Sequence, residues 1–332
     1  MKKEKHVLQW HITHQCNLRC KHCYQDEYKK DLRIQEMEDV FYKYLKYITD
    51  NNLRGHINFT GGEPFFYTSR LKLFFMMKLC DNNDITYGIL TNGTYLDEGT
   101  VVELKQLKNL KFIQMSLEGG KRINDSIRGK GNYKKVMEAV KRLNQAGIET
   151  MISFTMHDGN YKELRKLIWL CRLHGVKRFW TDRYIPIKEN IDVNDNNIKP
   201  ITTEHFEDAM RVLGEEQRRP GYSMKVHANR AMQFKSGCGE FYECSAGRKL
   251  IAILAGGEIL PCRRLPFNLG NILGDDSIET ILKENKNLID AIHDPSDKCI
   301  SCGIRSVCGG GAKCLTYAVK GTLNDKDVNC SL

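Results

Sequence analysis

The sequence predicts an α/β protein: a parallel sheet of six strands wound by five helices, followed by a small cysteine-rich domain. Three observations predict it. Strand-like and helix-like patterns alternate over the first 186 residues. The unusual residues gather just after the strands. Eight of the thirteen cysteines fall in the last 97 residues.

The strands are expected at "VLQWHIT" (7–13), "HINFTG" (56–61), "ITYGILTN" (85–92), "KFIQMSLEG" (111–119), "ETMISFTMH" (149–157) and "VKRFWTDRYIP" (176–186). Helical periodicity fills 34–49, 68–80, 97–107, 132–146 and 160–173 between them. Strands alternating with helices imply right-handed βαβ units and a parallel sheet. In such sheets the loops after the strands carry the chemistry. Cys16, Cys20 and Cys23 follow strand one, "TGGEP" follows strand two, "TNGT" strand three and "SLEGG" strand four.

Past residue 186 the alternation stops. "IKENIDVNDNNIKP" (187–200) is polar and reads as a loop. "TTEHFEDAMRVLGEEQ" (202–217) reads as a helix with Thr203 near its N-cap and Glu204 in its first turn. The expected divisions are therefore a core over 1–186, a bridging segment over 187–235 and a cysteine-rich domain over 236–332. That last part is rich in glycine and shows little periodicity, which suggests folding around metal rather than around a large apolar core.

Composition narrows the function classes. The longest apolar run, Leu250–Ala255, is far short of the ~20 residues of a membrane span. The start, "MKKEKHVLQW", has no apolar segment of signal-peptide length, so a cytoplasmic protein without a membrane partner is expected. The formal net charge of +10 is spread over helical faces such as "YKKVMEAVKRLN" (133–144). With no arginine-rich arm, nucleic acid is not an expected partner. Clustered cysteines in a reducing compartment bind metal or do redox work more often than they form disulfides.

"CNLRCKHCY" (16–24) sets Cys16, Cys20 and Cys23 in a C-x3-C-x2-C pattern. Three thiolates can hold three irons of a [4Fe–4S] cube and leave the fourth open to a small chelating molecule. A zinc site completed by His14 or His22 is the alternative. In the C-terminal part, Cys238 and Cys244 are followed by Gly257 and Cys262; Cys299, Cys302 and Cys308 form C-x2-C-x5-C; Cys314 and Cys330 complete the eight. Two zinc sites of four thiolates each would use the same residues. Cys80 and Cys171 are expected to be buried as small hydrophobic groups.

Here the sequence resembles the radical S-adenosylmethionine (SAM) superfamily. "CNLRCKHCY" looks like its cluster-binding loop, and "GGEP" (Gly61, Gly62, Glu63, Pro64) is similar to its second signature. The resemblance implies a partial (β/α)6 TIM-like barrel followed by a small cysteine-rich iron–sulfur domain. It implies that Glu63 and the Gly61–Gly62 backbone hold the methionyl amino group of SAM. Asn92, Ser116 and Arg128 match positions lining the SAM pocket. The eight C-terminal cysteines resemble the SPASM extension with its two auxiliary [4Fe–4S] clusters. One cluster would take Cys238, Cys244, Cys262 and Cys314, the other Cys299, Cys302, Cys308 and Cys330. Three positions depart from the family: His22 stands where an aromatic is common, Glu118 where Asp is common, and "CGGGAKC" is two residues longer than the usual C-x3-C.

The resemblance also implies the activity. The core cluster would cleave SAM reductively, and the resulting 5′-deoxyadenosyl radical would abstract hydrogen from a peptide or protein. The expected function is ribosomal peptide maturation, installing a crosslink, thioether or similar bond. The alternatives are a sulfatase-maturing enzyme that forms formylglycine, a small-molecule oxidase of tetrapyrrole or quinone-cofactor synthesis, and an iron–sulfur electron carrier. Asp182 and Glu118 are candidates for a general base, and Arg183 and Tyr184 are expected beside the substrate. The implied partner is an external one-electron reductant (flavodoxin or ferredoxin). Only fifteen residues precede Cys16, so leader binding is expected to use another surface or a separate leader-recognition protein.

Overall fold

The computed structural model describes residues 3–25, 30–186, 198–228, 232–237 and 243–332. Residues 187–197, expected as a polar loop, and Cys238 lie outside the described residues.

The strands are β1 (Lys5–His11), β2 (Arg54–Thr60), β3 (Thr86–Thr91), β4 (Leu110–Ser116), β5 (Thr150–Met156), β6 (Arg178–Arg183), β7 (Lys225–His227), β8 (Leu250–Ile253), β9 (Glu258–Leu260) and β10 (Gly270–Asn271). The helices are α1 (Ile34–Asp50), α2 (Arg70–Asn82), α3 (Glu98–Lys105), α4 (Lys121–Arg128), α5 (Asn132–Gln145), α6 (Leu164–Leu173), α7 (Thr203–Arg218), α8 (Ile278–Glu284), α9 (Lys286–His293), α10 (Arg305–Cys308) and α11 (Lys313–Lys320). Each expected strand and helix of the first 186 residues is present, displaced by a few residues at its ends. The fold is mixed α/β with a parallel core sheet. Among the described residues no helix is long and apolar enough to cross a membrane.

All the strands belong to one sheet, ordered β10-β9-β8-β1-β2-β3-β4-β5-β6-β7. From β8 through β1 to β7 every pairing is parallel, and β9 and β10 return antiparallel at one edge. Parallel strands need long crossovers, and helices α1 to α6 supply those between β1 and β6. Large apolar side chains fill the interior. Trp10, Phe59, Tyr87, Phe154 and Phe179 are fully buried, and Phe59 packs on Trp10 at 6.1 Å and on Tyr87 at 5.9 Å between ring centroids.

The sheet crosses the divisions expected from sequence. β7 extends it from within the 187–235 stretch. β8, from the cysteine-rich part, pairs with β1 from Val7 opposite Leu250 to Trp10 opposite Ile253. Ile251, Ile253, Ile259, Ile281, Ile289 and Leu315 belong to the same core as the barrel residues. The expectation of a C-terminal part with little apolar core is corrected here. Its apolar runs are too short to show periodicity, but the sheet edge gathers them. Thr203 opens α7 next to the N-cap Thr202, which accepts the His205 N–H, and Glu204 lies in the first turn.

Candidate active site

The thiol loop leaves β1 and is pinned by backbone contacts. Gly62 N donates to Thr13 O at 2.8 Å, and Glu63 N donates to Gln15 O at 2.7 Å. Gly61 has φ +141°, and a Cβ there would sit 2.4 Å from Thr13 O; at Gly62 it would sit 2.1 Å from Gln15 O. The two glycines are therefore required by close approach of two backbone segments. They dock the loop after β2 onto the chain entering Cys16. From the other side, Lys21 N donates to Ile127 O of α4.

Glu63 is fully buried between these loops. Its Oε1 accepts from Thr91 Oγ1 (2.6 Å) and Phe65 N (3.0 Å), and its Oε2 accepts from Asn92 N (2.7 Å). Burial pushes its pKa up to about 7, and these three donors work against that rise. Asn92 continues the network: its Nδ2 lies 3.8 Å from Cys16 Sγ and 2.9 Å from Asn17 Oδ1. One residue thus joins the carboxylate to the first thiol.

Arg128 closes the other side. It sits at the C-terminal end of α4, and its Nε and Nη2 donate to Glu118 Oε1 at 3.0 and 2.5 Å. Its Nη1 lies 3.9 Å from Cys20 Sγ. Glu118 Oε2 accepts from Thr155 N of β5 at 2.9 Å. Burial pushes the Glu118 carboxyl up, but Arg128 and His22 outweigh it and hold the pKa down at about 2. A carboxylate that acidic and that fully engaged is a poor proton acceptor at neutral pH. Glu118 is the partner that orients Arg128. Ser116 lies half-buried at the end of β4, opposite Ser153.

His22 turns toward this pair, with Nε2 3.3 Å from Glu118 Oε1. Among the described residues, no three His, Cys, Asp or Glu groups are drawn together to hold a single ion. A cube takes one thiolate per iron and does not need such convergence. Cys16, Cys20 and Cys23 carry no disulfide. Burial pushes Cys16 up to about 11 and raises Cys20 as well; a metal would be needed to hold them as thiolates. The N–H donors of Asn92 and Arg128 face sulfurs of that kind. The donor set fits an iron–sulfur group.

Asp182, next to last in β6, is buried, with Oδ2 3.6 Å from Arg264 Nη2. Arg183 does not face a substrate. Its Nη1 and Nη2 grip Asp327 at 2.6 and 2.8 Å, and Nη1 also reaches Asn329 Oδ1 at 2.8 Å. It fastens β6 to the C-terminal segment. Tyr184 is buried beside it. His157, at the end of β5, escaped the sequence reading. It is buried, accepts the Gly159 N–H at Nδ1, and its Nε2 has no protein partner among the described residues.

The C-terminal thiols fall into two groups. Cys299, Cys302, Cys308 and Cys330 line one cavity together. Cys244, Cys262 and Cys314 pack around a small apolar cluster of Ala246, Leu265 and Ile292. The long "CGGGAKC" spacing has a physical reason. Gly309, Gly310 and Gly311 all have positive φ, and a Cβ on Gly311 would meet the Asp327 side chain at 2.3 Å. Asp327 Oδ2 in turn accepts Ala312 N at 2.6 Å.

Comparison with known proteins follows this geometry. The radical SAM superfamily model matches residues 10–170, and the SPASM iron–sulfur cluster-binding domain model matches 244–303. The chain belongs to the radical SAM superfamily. As a radical SAM protein with a SPASM domain it has several relatives. It is 25% identical over 90% of its length to the subtilosin biosynthesis protein AlbA of Bacillus subtilis, of which it spans 65%. It is 24% identical over 97% of its length to the mycofactocin maturase MftC of Mycolicibacterium smegmatis, covering 82% of it. An AdoMet-dependent heme synthase of Methanosarcina barkeri is 22% identical, over 98% of this chain and 95% of that one. In fold, it superposes on Streptococcus suis SuiB bound to SAM with a TM-score of 0.79 at 19% identity, covering 99% of this chain and 78% of that one. A structure of anSMEcpe with bound AdoMet and a peptide gives 0.79 at 18% identity, covering 98% and 93%.

Proposed function

We propose that this radical SAM enzyme oxidatively modifies a peptide or protein, as a maturase of ribosomally made peptides that forms a crosslink, thioether or similar bond. The observation that carries the SAM chemistry is the Asn92 bridge between Glu63 and Cys16. The peptide part is supported by the relatives AlbA and MftC and by SuiB, a fold neighbour solved with its precursor peptide SuiA.

Cys16, Cys20 and Cys23 hold the core cluster. Glu63 receives the SAM amino group, while Asn92, Ser116 and Arg128 line the remainder of its pocket. When bound, the cluster and SAM supply one-electron cleavage and hydrogen abstraction. The chain's own residues position and enclose. Glu63 offers a fully buried carboxylate already braced by three donors, so an ammonium gains a strong partner there. Glu118 and Thr155 fix Arg128 beside Cys20. Asp182 is left as the candidate base at the substrate edge. Cys238, Cys244, Cys262 and Cys314 hold one auxiliary [4Fe–4S] cluster, and Cys299, Cys302, Cys308 and Cys330 hold the other. Closed clusters of this kind can carry away the electron that an oxidation releases. An external flavodoxin or ferredoxin supplies the reducing electron, and the reaction is cytoplasmic.

A second reading has its own support. The heme synthase relative matches almost end to end, which favours a tetrapyrrole oxidase as the alternative. The test uses reduced, reconstituted enzyme with SAM and three candidates: any short peptide encoded beside its gene, a sulfatase peptide with the target Cys or Ser, and a coproporphyrin. Modification of the encoded peptide supports the proposal. Turnover of the porphyrin or the sulfatase peptide alone overturns it. No 5′-deoxyadenosine from any mixture overturns the enzyme reading.

A further inference from the structure

Two arginines stand side by side where the C-terminal part crosses the mouth of the barrel. Arg263 and Arg264 directly follow Cys262. Both guanidiniums lie over the ring of Tyr24, each 5.5 Å from its centroid. Arg263 Nη1 is 3.5 Å from the Tyr24 hydroxyl. Tyr24 immediately follows Cys23, and its ring meets His11, the last residue of β1, edge-on at 5.9 Å. Arg264 reaches Asp182 near the end of β6 at 3.6 Å. Four strands lie between β1 and β6 in the sheet, so the two arginines span the mouth from one side to the other. This is the C-terminal face, where barrel enzymes bind substrate.

Among the described residues Arg264 pairs with Asp182, and Arg263 stands beside that pair. Arg263 makes no ion pair there, and its buried Nε has no hydrogen-bond partner. His11 adds no compensation: burial first, then Arg263 and His14, lower its pKa to about 3, so it is neutral. A buried guanidinium donor left open costs free energy, and its planar fork matches a carboxylate at two points. Stacking both forks on one aromatic ring holds them in place for such a ligand.

We propose that Arg263 and Arg264 bind a carboxylate of the substrate. On the peptide reading given above, that group is an aspartate or glutamate side chain close to the residue that reacts. The specificity is then for acidic peptides, set by residues outside both cluster-binding motifs.

The test measures binding to reconstituted enzyme saturated with SAM. The probes are a fluorescein-labelled glycine heptapeptide carrying two glutamates, its counterpart with two glutamines, and coproporphyrin III, a carboxylate carrier that is not a peptide. The glutamate peptide should bind about tenfold or more tightly than the glutamine one, the scale of one charge-assisted pair. Arg263→Gln/Arg264→Gln should erase that preference, and the double lysine variant should keep part of it. Iron per chain reports whether each variant is folded. The single Arg263→Gln variant breaks no ion pair and covers the case in which the double variant loses iron. Equal binding of the two peptides, or a preference that survives the arginine changes, overturns the proposal. Arginine-dependent binding of coproporphyrin alone keeps the carboxylate site and overturns the peptide reading. If Arg263→Gln shifts the potential of the cluster held by Cys262 while peptide affinity is unchanged, the guanidinium serves that cluster and the proposal falls.

Discussion

Glu118→Gln separates two uses of one buried carboxylate. If Glu118 anchors Arg128, its charge stabilises the fold. From the ordinary 4.5 to about 2 is a gap of about 2.5. At about 1.4 kcal/mol per tenfold, that gap corresponds to about 3 kcal/mol. The folded value lies below the unfolded one, so this contribution is complete above pH 4.5 and is lost as the pH falls through about 2. At pH 7 the whole of it is present. Glu118→Gln should therefore lower the stability of the reconstituted protein by about 3 kcal/mol, read as an earlier midpoint in anaerobic urea unfolding. Arg128→Gln leaves the carboxylate buried without its cation and should cost at least as much. The double variant should cost less than the two singles together, because each single strands the other's charge. Unfolding is followed by the fluorescence of Trp10, Trp169 and Trp180. Both single variants within about 0.5 kcal/mol of wild type would refute the anchoring argument. A shifted pH–rate profile in such stable variants would restore Glu118 as a base.

Three further outcomes are expected. Glu63 titrates near 7, and an ammonium needs its charged form, so SAM affinity should rise about tenfold from pH 6 to pH 8; calorimetry on Glu63→Gln should show weaker binding with a flatter pH dependence. Gly311→Ala forces a left-handed residue against Asp327 and should cost about 2 kcal/mol or more, with iron lost from the C-terminal domain. An iron content equal to wild type would show that this turn is not needed. Cys80→Ala and Cys171→Ala remove buried thiols from helices α2 and α6, and iron per chain should not change.

Much of the barrel was legible because each strand and helix carries its own period. His6, Leu8 and Trp10 alternate with the more exposed Val7 and Gln9, and Met37, Val40, Phe41, Tyr44 and Ile48 repeat at helical spacing. Strands β7 to β10 were not legible. They hold two to four residues each, too few for any period, and exist because the sheet edges accept them. Helix α4, "KRINDSIR", is too polar to announce itself, although it delivers Arg128. Within the site, the thiols, Glu63 and Asn92 were legible from their order along the chain. What they touch was not. Glu118 reads as a free carboxylate until Arg128, ten residues on, folds back against it. Arg183 reads as a substrate contact until Asp327 arrives from the far end of the chain. The two glycines before Glu63 mark a close approach, but only the fold shows Thr13 and Gln15 there. The arginine pair after Cys262 was visible in "PCRRLP", but only Tyr24 and Asp182 give it a place.

On the proposed function, the barrel's three thiols carry an iron–sulfur cluster apart from those of the C-terminal domain. Iron and sulfide per chain after anaerobic reconstitution test it most directly, on wild type and on the Cys16/Cys20/Cys23→Ala triple variant. Three cubes correspond to about twelve irons, falling to about eight in the variant. Bound zinc in place of iron, or about four irons that all vanish in the variant, would contradict the account.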